Sequence, residues 1–210
     1  MHELGKTVAM IAVMIAALST TASENPDPGK AKVILETSLG EIEVEVDVDR
    51  APLSAGDFLR YVDEGLYEGA AFYRVVRKDN DHGKPKIEVV QGGLPENSER
   101  LPPIILETTE ETGITHEDGV ISLARGEPNS GGGAAFFICI GRQPSLDLGG
   151  NRNPDGLGFA AFGQVTRGMD VVRKIHGMQA DAPTSNEYLK GQLLSEPVTI
   201  LSARRVGEVD

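Results

Sequence analysis

The chain has 210 residues, enough for one domain with a short appendage. Its 32 acidic residues outnumber its 20 basic ones, and the net charge of −12 lacks the positive footprint that nucleic acid or an anionic membrane surface requires. A single cysteine, Cys139, excludes an intrachain disulfide framework and a multi-cysteine metal cluster; inside the apolar run 134–140 it reads as a buried small hydrophobe.

In chain order, the first segment is an address. Lys6 precedes an unbroken apolar run, Val8–Leu18, too short to span a bilayer comfortably, and small polar residues follow. Thr20 and Ala22 suit the −3 and −1 positions of a signal-peptide cleavage site, so residues 1–22 are expected to leave and the protein to be exported, periplasmic or secreted. An uncleaved membrane anchor is the alternative. Residues 23–30 read as a linker and 31–207 as the domain, with no membrane contact in the mature form.

Residues 32–36 and 41–48 flank a Ser38-Leu39-Gly40 turn and predict a hairpin. In its second strand Ile42, Val44, Val46 and Val48 alternate with acids, which places the carboxylates on one face. That face is either solvated or a cation site, and Lys32, Arg204 and Arg205 are candidates to relieve its repulsion. A helix is expected after Pro52, carrying Phe58, Leu59, Tyr61 and Val62 and ending before Gly65. Strands are expected at 71–77, 86–90, 119–124, 134–140, 159–165 and 198–206, with a second helix at 168–176. Residues 178–196 show no period and read as a surface excursion. Many short strands with two helices predict a mainly β chain closed into a barrel, and few aromatics with no Trp predict an aliphatic core.

Three motif-like stretches carry little. Asn151–Gly156 imitates the first half of a calcium loop, but Phe162 stands where a bidentate carboxylate is needed. The loop 130–135 lacks the Lys-Ser/Thr pair of a phosphate cradle and reads as a flexible approach to a strand. No Gly-x-Ser-x-Gly turn is present, and the four histidines lack metal-ligand spacing.

One ordered set of motifs is specific. Phe72-Tyr73-Arg74-Val75-Val76, Val89-Val90-Gln91-Gly92-Gly93, Gly119–Ala124, Pro128-Asn129-Ser130, Phe136-Phe137-Ile138, Leu146-Asp147, Phe162-Gly163-Gln164-Val165 and Gly168–Val172 follow one another. The set resembles the cyclophilin-type peptidyl-prolyl cis-trans isomerases over most of 31–206. The resemblance implies a closed eight-stranded antiparallel barrel capped by two α-helices. It also implies a monomer that acts on proline-containing segments of unfolded or exported proteins, with no cofactor and no metal.

By the same resemblance Arg74 is the catalytic cation, with a strand arginine paired to a carboxylate as the plainer reading. Gln91 orients Arg74 or touches substrate, and Phe72 belongs to the same substrate-binding set. Val89, Phe137 and Leu146 fall at proline-pocket positions, and Ala124 and Arg125 line the groove, Arg125 mainly through its backbone. Departures from the family pattern are Ala135 for a second glutamine, Glu88 for an aromatic (or Ile87 in another register) and Ser145 for a tryptophan. Phe159 replaces a histidine after the insertion 148–158 and offers an apolar wall. These changes predict altered activity, and a proline-segment binding module without catalysis is the alternative.

Overall fold

The computed structural model describes residues 29–95 and 98–207; the expected leader and its cleavage point lie outside the described residues. β1 (Lys30–Thr37) and β2 (Gly40–Asp47) form the expected hairpin, closing with Thr37 opposite Gly40. Alternation in β2 buries Ile42, Val44 and Val46 completely and leaves Glu41, Glu43 and Glu45 at the surface. Lys30 pairs with Glu45 at 2.8 Å, and Arg167 with Glu41 and Glu43 at 3.4 and 3.5 Å. Arg205, a candidate there, also donates from Nε to Asp63 at 2.7 Å.

Pro52 opens α1 (Pro52–Asp63), where its missing N–H costs nothing. Leu53 and Ser54 donate their first-turn N–H groups to the Glu107 carboxylate at 3.0 and 2.7 Å, so a negative charge from a distant loop caps the helix. β3 (Ala71–Val76), β4 (Val89–Gly93), β5 (Ile104–Ile105), the single turn α2 (Thr109–Thr112) and β6 (Val120–Leu123) follow. After them come β7 (Ser130–Gly131), β8 (Ala135–Cys139), β9 (Ala160–Arg167), α3 (Met169–His176) and β10 (Leu193–Arg205).

Eight strands close a barrel in the order β1-β10-β3-β4-β8-β6-β9-β2, every neighbouring pair antiparallel. α1 packs on β2, β9 and β10, and α3 on β2, β3 and β4. Two features went unpredicted: α2, held by a Thr108–Glu111 capping box, and the β5–β7 ribbon. The ribbon corrects the reading of 130–135 as a free approach. Gly133 donates its N–H to Asp57 at 2.7 Å and accepts from the Tyr67 hydroxyl, so the loop is tied down.

The core also differs from the composition-based expectation. Although aromatics are few, they converge: Phe58 lies 5.3, 5.6 and 5.2 Å from the rings of Tyr67, Phe136 and Phe162, and Phe72 packs edge-on to Phe136 at 5.7 Å. Branched aliphatics from every barrel strand complete the interior.

Candidate active site

Residues two apart on a strand share a face, so Phe72 and Arg74 should both point into the barrel. A bulge prevents this. Phe72 pairs with Gly92 and Arg74 with Gln91, which leaves Tyr73 as an extra residue and reverses the parity beyond it. Phe72 and Val75 stay in the interior cluster, whereas Arg74, Gln91 and Val76 lie on the outer face. Phe72 packs in the interior cluster, apart from the other residues expected to touch substrate, and supports the strand from within. The Gln-Gly-Gly run has a steric origin. A Cβ on Gly92 would stand 2.8 Å from the Phe72 ring, and Gly93 adopts φ +136° against the Ala134 carbonyl.

Pairing continues across the sheet, with Gln91 opposite Phe137 and Phe137 opposite Ser122. One lateral row, Arg74–Gln91–Phe137–Ser122, therefore crosses four strands. Arg74 donates from Nη1 to Gln91 Oε1 at 2.9 Å, and from Nε and Nη2 to Gln192 Oε1 at 2.9 and 2.6 Å. Gln91 Nε2 donates in turn to the Tyr73 hydroxyl at 3.0 Å. Gln192 is fully buried, and its Nε2 donates to the Asn80 carbonyl at 2.8 Å. The Tyr188 ring sits over the guanidinium, 5.4 Å from its centroid. Burial lowers the Arg74 pKa, opposed by Tyr188 and Tyr73, and a guanidinium so held is charged at any working pH. Among the described residues no carboxylate pairs with Arg74.

Gln192 and Tyr188 were missed by the sequence reading, which took 178–196 for a surface excursion. The only local sign is a polar residue directly before Leu193-Leu194. In the fold that segment returns across the outer face and enters β10, where Leu193 pairs with Arg74.

Beside this row lies a second, smaller apolar cluster: Val76, Ile87, Val89, Phe137, Cys139 and Leu146, with Ala124 and Phe159 packed against it. Five of the expected substrate residues, Val89, Ala124, Phe137, Leu146 and Phe159, thus come together. Phe159 meets Phe137 edge-on at 5.4 Å. Ile87, rather than Glu88, joins the cluster; Glu88 reaches Lys78 at 3.4 Å and does not neutralise Arg74. β4 begins at Val89, later than predicted, because buried Asp81 takes the Ile87 N–H at 2.8 Å and Gln143 takes that of Glu88. Cys139 is buried there, which raises its thiol pKa and leaves it unreactive.

The insertion 148–158 is pinned at two points. Arg152 makes a bidentate pair with Asp81 at 2.7 and 2.8 Å and donates to the Tyr188 hydroxyl at 3.0 Å. Burial alone would raise the Asp81 pKa, but Arg152 and the N–H groups of Ile87 and Gly83 hold it below the usual carboxylate range. At the other point Arg125 pairs with both Asp155 oxygens at 2.8 and 2.7 Å and lies over the Phe159 ring at 5.3 Å. The Arg125 guanidinium therefore braces the pocket wall. The same pair accounts for the calcium-like stretch, since Asp155 holds an arginine.

Behind Phe137, His116 bonds Asp147 through Nδ1 at 2.7 Å and Ser122 through Nε2 at 3.0 Å. The order of groups imitates a hydrolase triad, yet Ser122 and His116 are both fully buried, so no substrate reaches the hydroxyl. The His116 ring stacks on Phe137 at 6.0 Å and 15°, which makes the network a backing for the pocket.

Comparison with known proteins agrees with this geometry. The family model described as cyclophilin-type peptidyl-prolyl cis-trans isomerase/CLD matches residues 32–205. Peptidyl-prolyl cis-trans isomerase A of Dickeya dadantii is 32% identical, over 93% of this chain and 96% of its own length. A peptidyl-prolyl cis-trans isomerase of Acinetobacter baylyi is 31% identical over 82% and 84%. A crystal structure of a cyclophilin-type isomerase from Cryptosporidium parvum superposes with a TM-score of 0.63 at 17% identity, covering 86% of this chain and 99% of that one.

Proposed function

The chain belongs to the cyclophilin-type peptidyl-prolyl cis-trans isomerases, and from that premise we propose that it serves exported proteins, turning X-Pro bonds in chains that fold after translocation. It is an isomerase that acts on proline-containing peptides. Rotation about an X-Pro bond faces a barrier of about 18–20 kcal/mol because the amide nitrogen shares its lone pair with the carbonyl. Shortening an exchange of about 100 s to about 1 ms takes a factor of roughly 10⁵, or about 7 kcal/mol.

The outer face supplies two things toward that figure. Ile87, Val89, Phe137 and Phe159, backed by the fully buried Leu146, form an apolar seat that holds the proline ring while the preceding residue turns. Arg74 stands at its edge and donates to the amide nitrogen as that atom becomes pyramidal and regains its lone pair. No bond to the enzyme forms and no proton is exchanged. The observation that carries the reading is the Arg74 guanidinium, charged, free of any described carboxylate and fixed by two glutamine carbonyls. Ala135, in place of a glutamine, removes one hydrogen bond to the bound segment, so activity is altered through substrate affinity before turnover.

Export is supported by the apolar leader with its small-residue cleavage site. The match to the Dickeya relative covers a larger share of the chain than residues 23–210 make up, so it reaches into that leader. The mature domain is read as a monomer without membrane contact. The test is the full chain expressed in a bacterial host, with each fraction followed by mass and by X-Pro exchange NMR. Export predicts a soluble product beginning at Ser23 that accelerates exchange; an intact chain held in membranes, or left in the cytoplasm, would refute it.

A further inference from the structure

Along β3 and β4 the apolar cluster occupies the Val76/Val89 end, while Arg74 and Gln91 lie in the middle. At the other end, over Ala71 and Gly93, opens a cavity of about 660 Å³ that none of the cluster residues lines. Its walls come from the 184–197 return segment on one side and from Gly93, Leu94, Pro95 and Arg100 on the other. Leu94, Leu189, Leu193 and Pro197 make those walls apolar, and its charged lining residues are Arg74 and Arg100. No carboxylate lines it among the described residues, although acids outnumber bases 32 to 20 in the chain. Neither arginine has an ion-pair partner among the described residues.

A short methylene stem ending in a carboxylate matches this lining. The stem packs on leucine and proline, and the carboxylate meets two guanidinium groups inside a recess, where charge-assisted hydrogen bonds are strong. We infer that this cavity is a specificity pocket for an aspartate or glutamate side chain of the same segment whose proline occupies the apolar seat. Val89 and Gly93 are four residues apart on β4, about 13 Å at strand rise, so the acid lies two to four residues from the proline. The inference rests on the outer face being the substrate groove, and it adds a preference that the catalytic row alone does not supply.

The test uses proline peptides with Glu, Gln or Lys at each position two to four residues on either side of the proline. Affinity is read by fluorescence titration and catalysis separately by exchange NMR, so that a loss of turnover and a loss of recognition are told apart. At one position Glu is expected to bind about tenfold more tightly than Gln and Lys more weakly, and the margin to shrink with salt. Arg100→Glu should invert the order at that position, and Arg100→Gln should flatten it. Equal affinities for Glu, Gln and Lys at every position, or a preference unchanged in Arg100→Glu, would overturn the assignment.

Discussion

Phe136 and Phe137 are neighbours in sequence and belong to different machines. Phe136 points inward to Phe58, Tyr67 and Phe72, in an interior closed on all sides. Phe137 points outward to Val89, Leu146 and Phe159, in a smaller separate cluster that borders Gln91 and Arg74. The interior is made by regular strand alternation and would be much the same in any closed barrel. The outer face is made by interruptions of that regularity: the Tyr73 bulge, the 148–158 insertion and the return segment that carries Gln192. Stability resides mainly in the first region, and the proposed chemistry in the second.

Substitutions separate the two. Phe136→Ala should cost about 3–5 kcal/mol in unfolding free energy, measured by urea denaturation, because its cavity cannot collapse. Phe137→Ala should cost less stability and raise KM. Arg74→Ala should lower kcat/KM by about 10²–10³ with the urea midpoint unchanged, since it removes the donor proposed to meet the transition state.

Arg152→Met tests the brace between the regions. It leaves the Asp81 carboxylate buried and unpaired, with an expected loss of about 3 kcal/mol near pH 7. The folded-state pKa of Asp81 is depressed, so its contribution is fully present above the unfolded value of about 3.9 and disappears as pH falls through the folded value. The gap between wild type and variant should therefore narrow below about pH 4; a gap independent of pH would show that the pair does not carry it. Glu88→Gln should do least, within about 0.5 kcal/mol and without change in kcat/KM, because Glu88, half-buried, faces the exposed Lys78 at 3.4 Å.

The eight barrel strands and the two longer helices were legible in the sequence because each is a local pattern: Ile42, Val44 and Val46 at period two, Phe58, Leu59 and Val62 at helical spacing. The outer-face residues were legible only through the family's motifs, in which Arg74, Val89, Gln91, Phe137 and Leu146 follow in order. What neither showed depends on partners distant in the chain. A bulge at Tyr73 exists only relative to the strand it pairs with. Gln192 lies 118 residues from the arginine it holds, in a stretch without period. The roles of Arg152 and Asp155 come from where the insertion lands, on Asp81 and Arg125, and no local spacing encodes that.

The central claim is that this return segment acts in catalysis by holding Arg74, and a double-mutant cycle tests it most directly. X-Pro exchange NMR would give kcat/KM for wild type, Gln192→Leu, Arg74→Ala and the double variant, with folding verified by urea melts. If Gln192 acts through Arg74, Gln192→Leu lowers kcat/KM about tenfold in the wild-type background and has no effect in the Arg74→Ala background. Equal losses in both backgrounds would contradict the account.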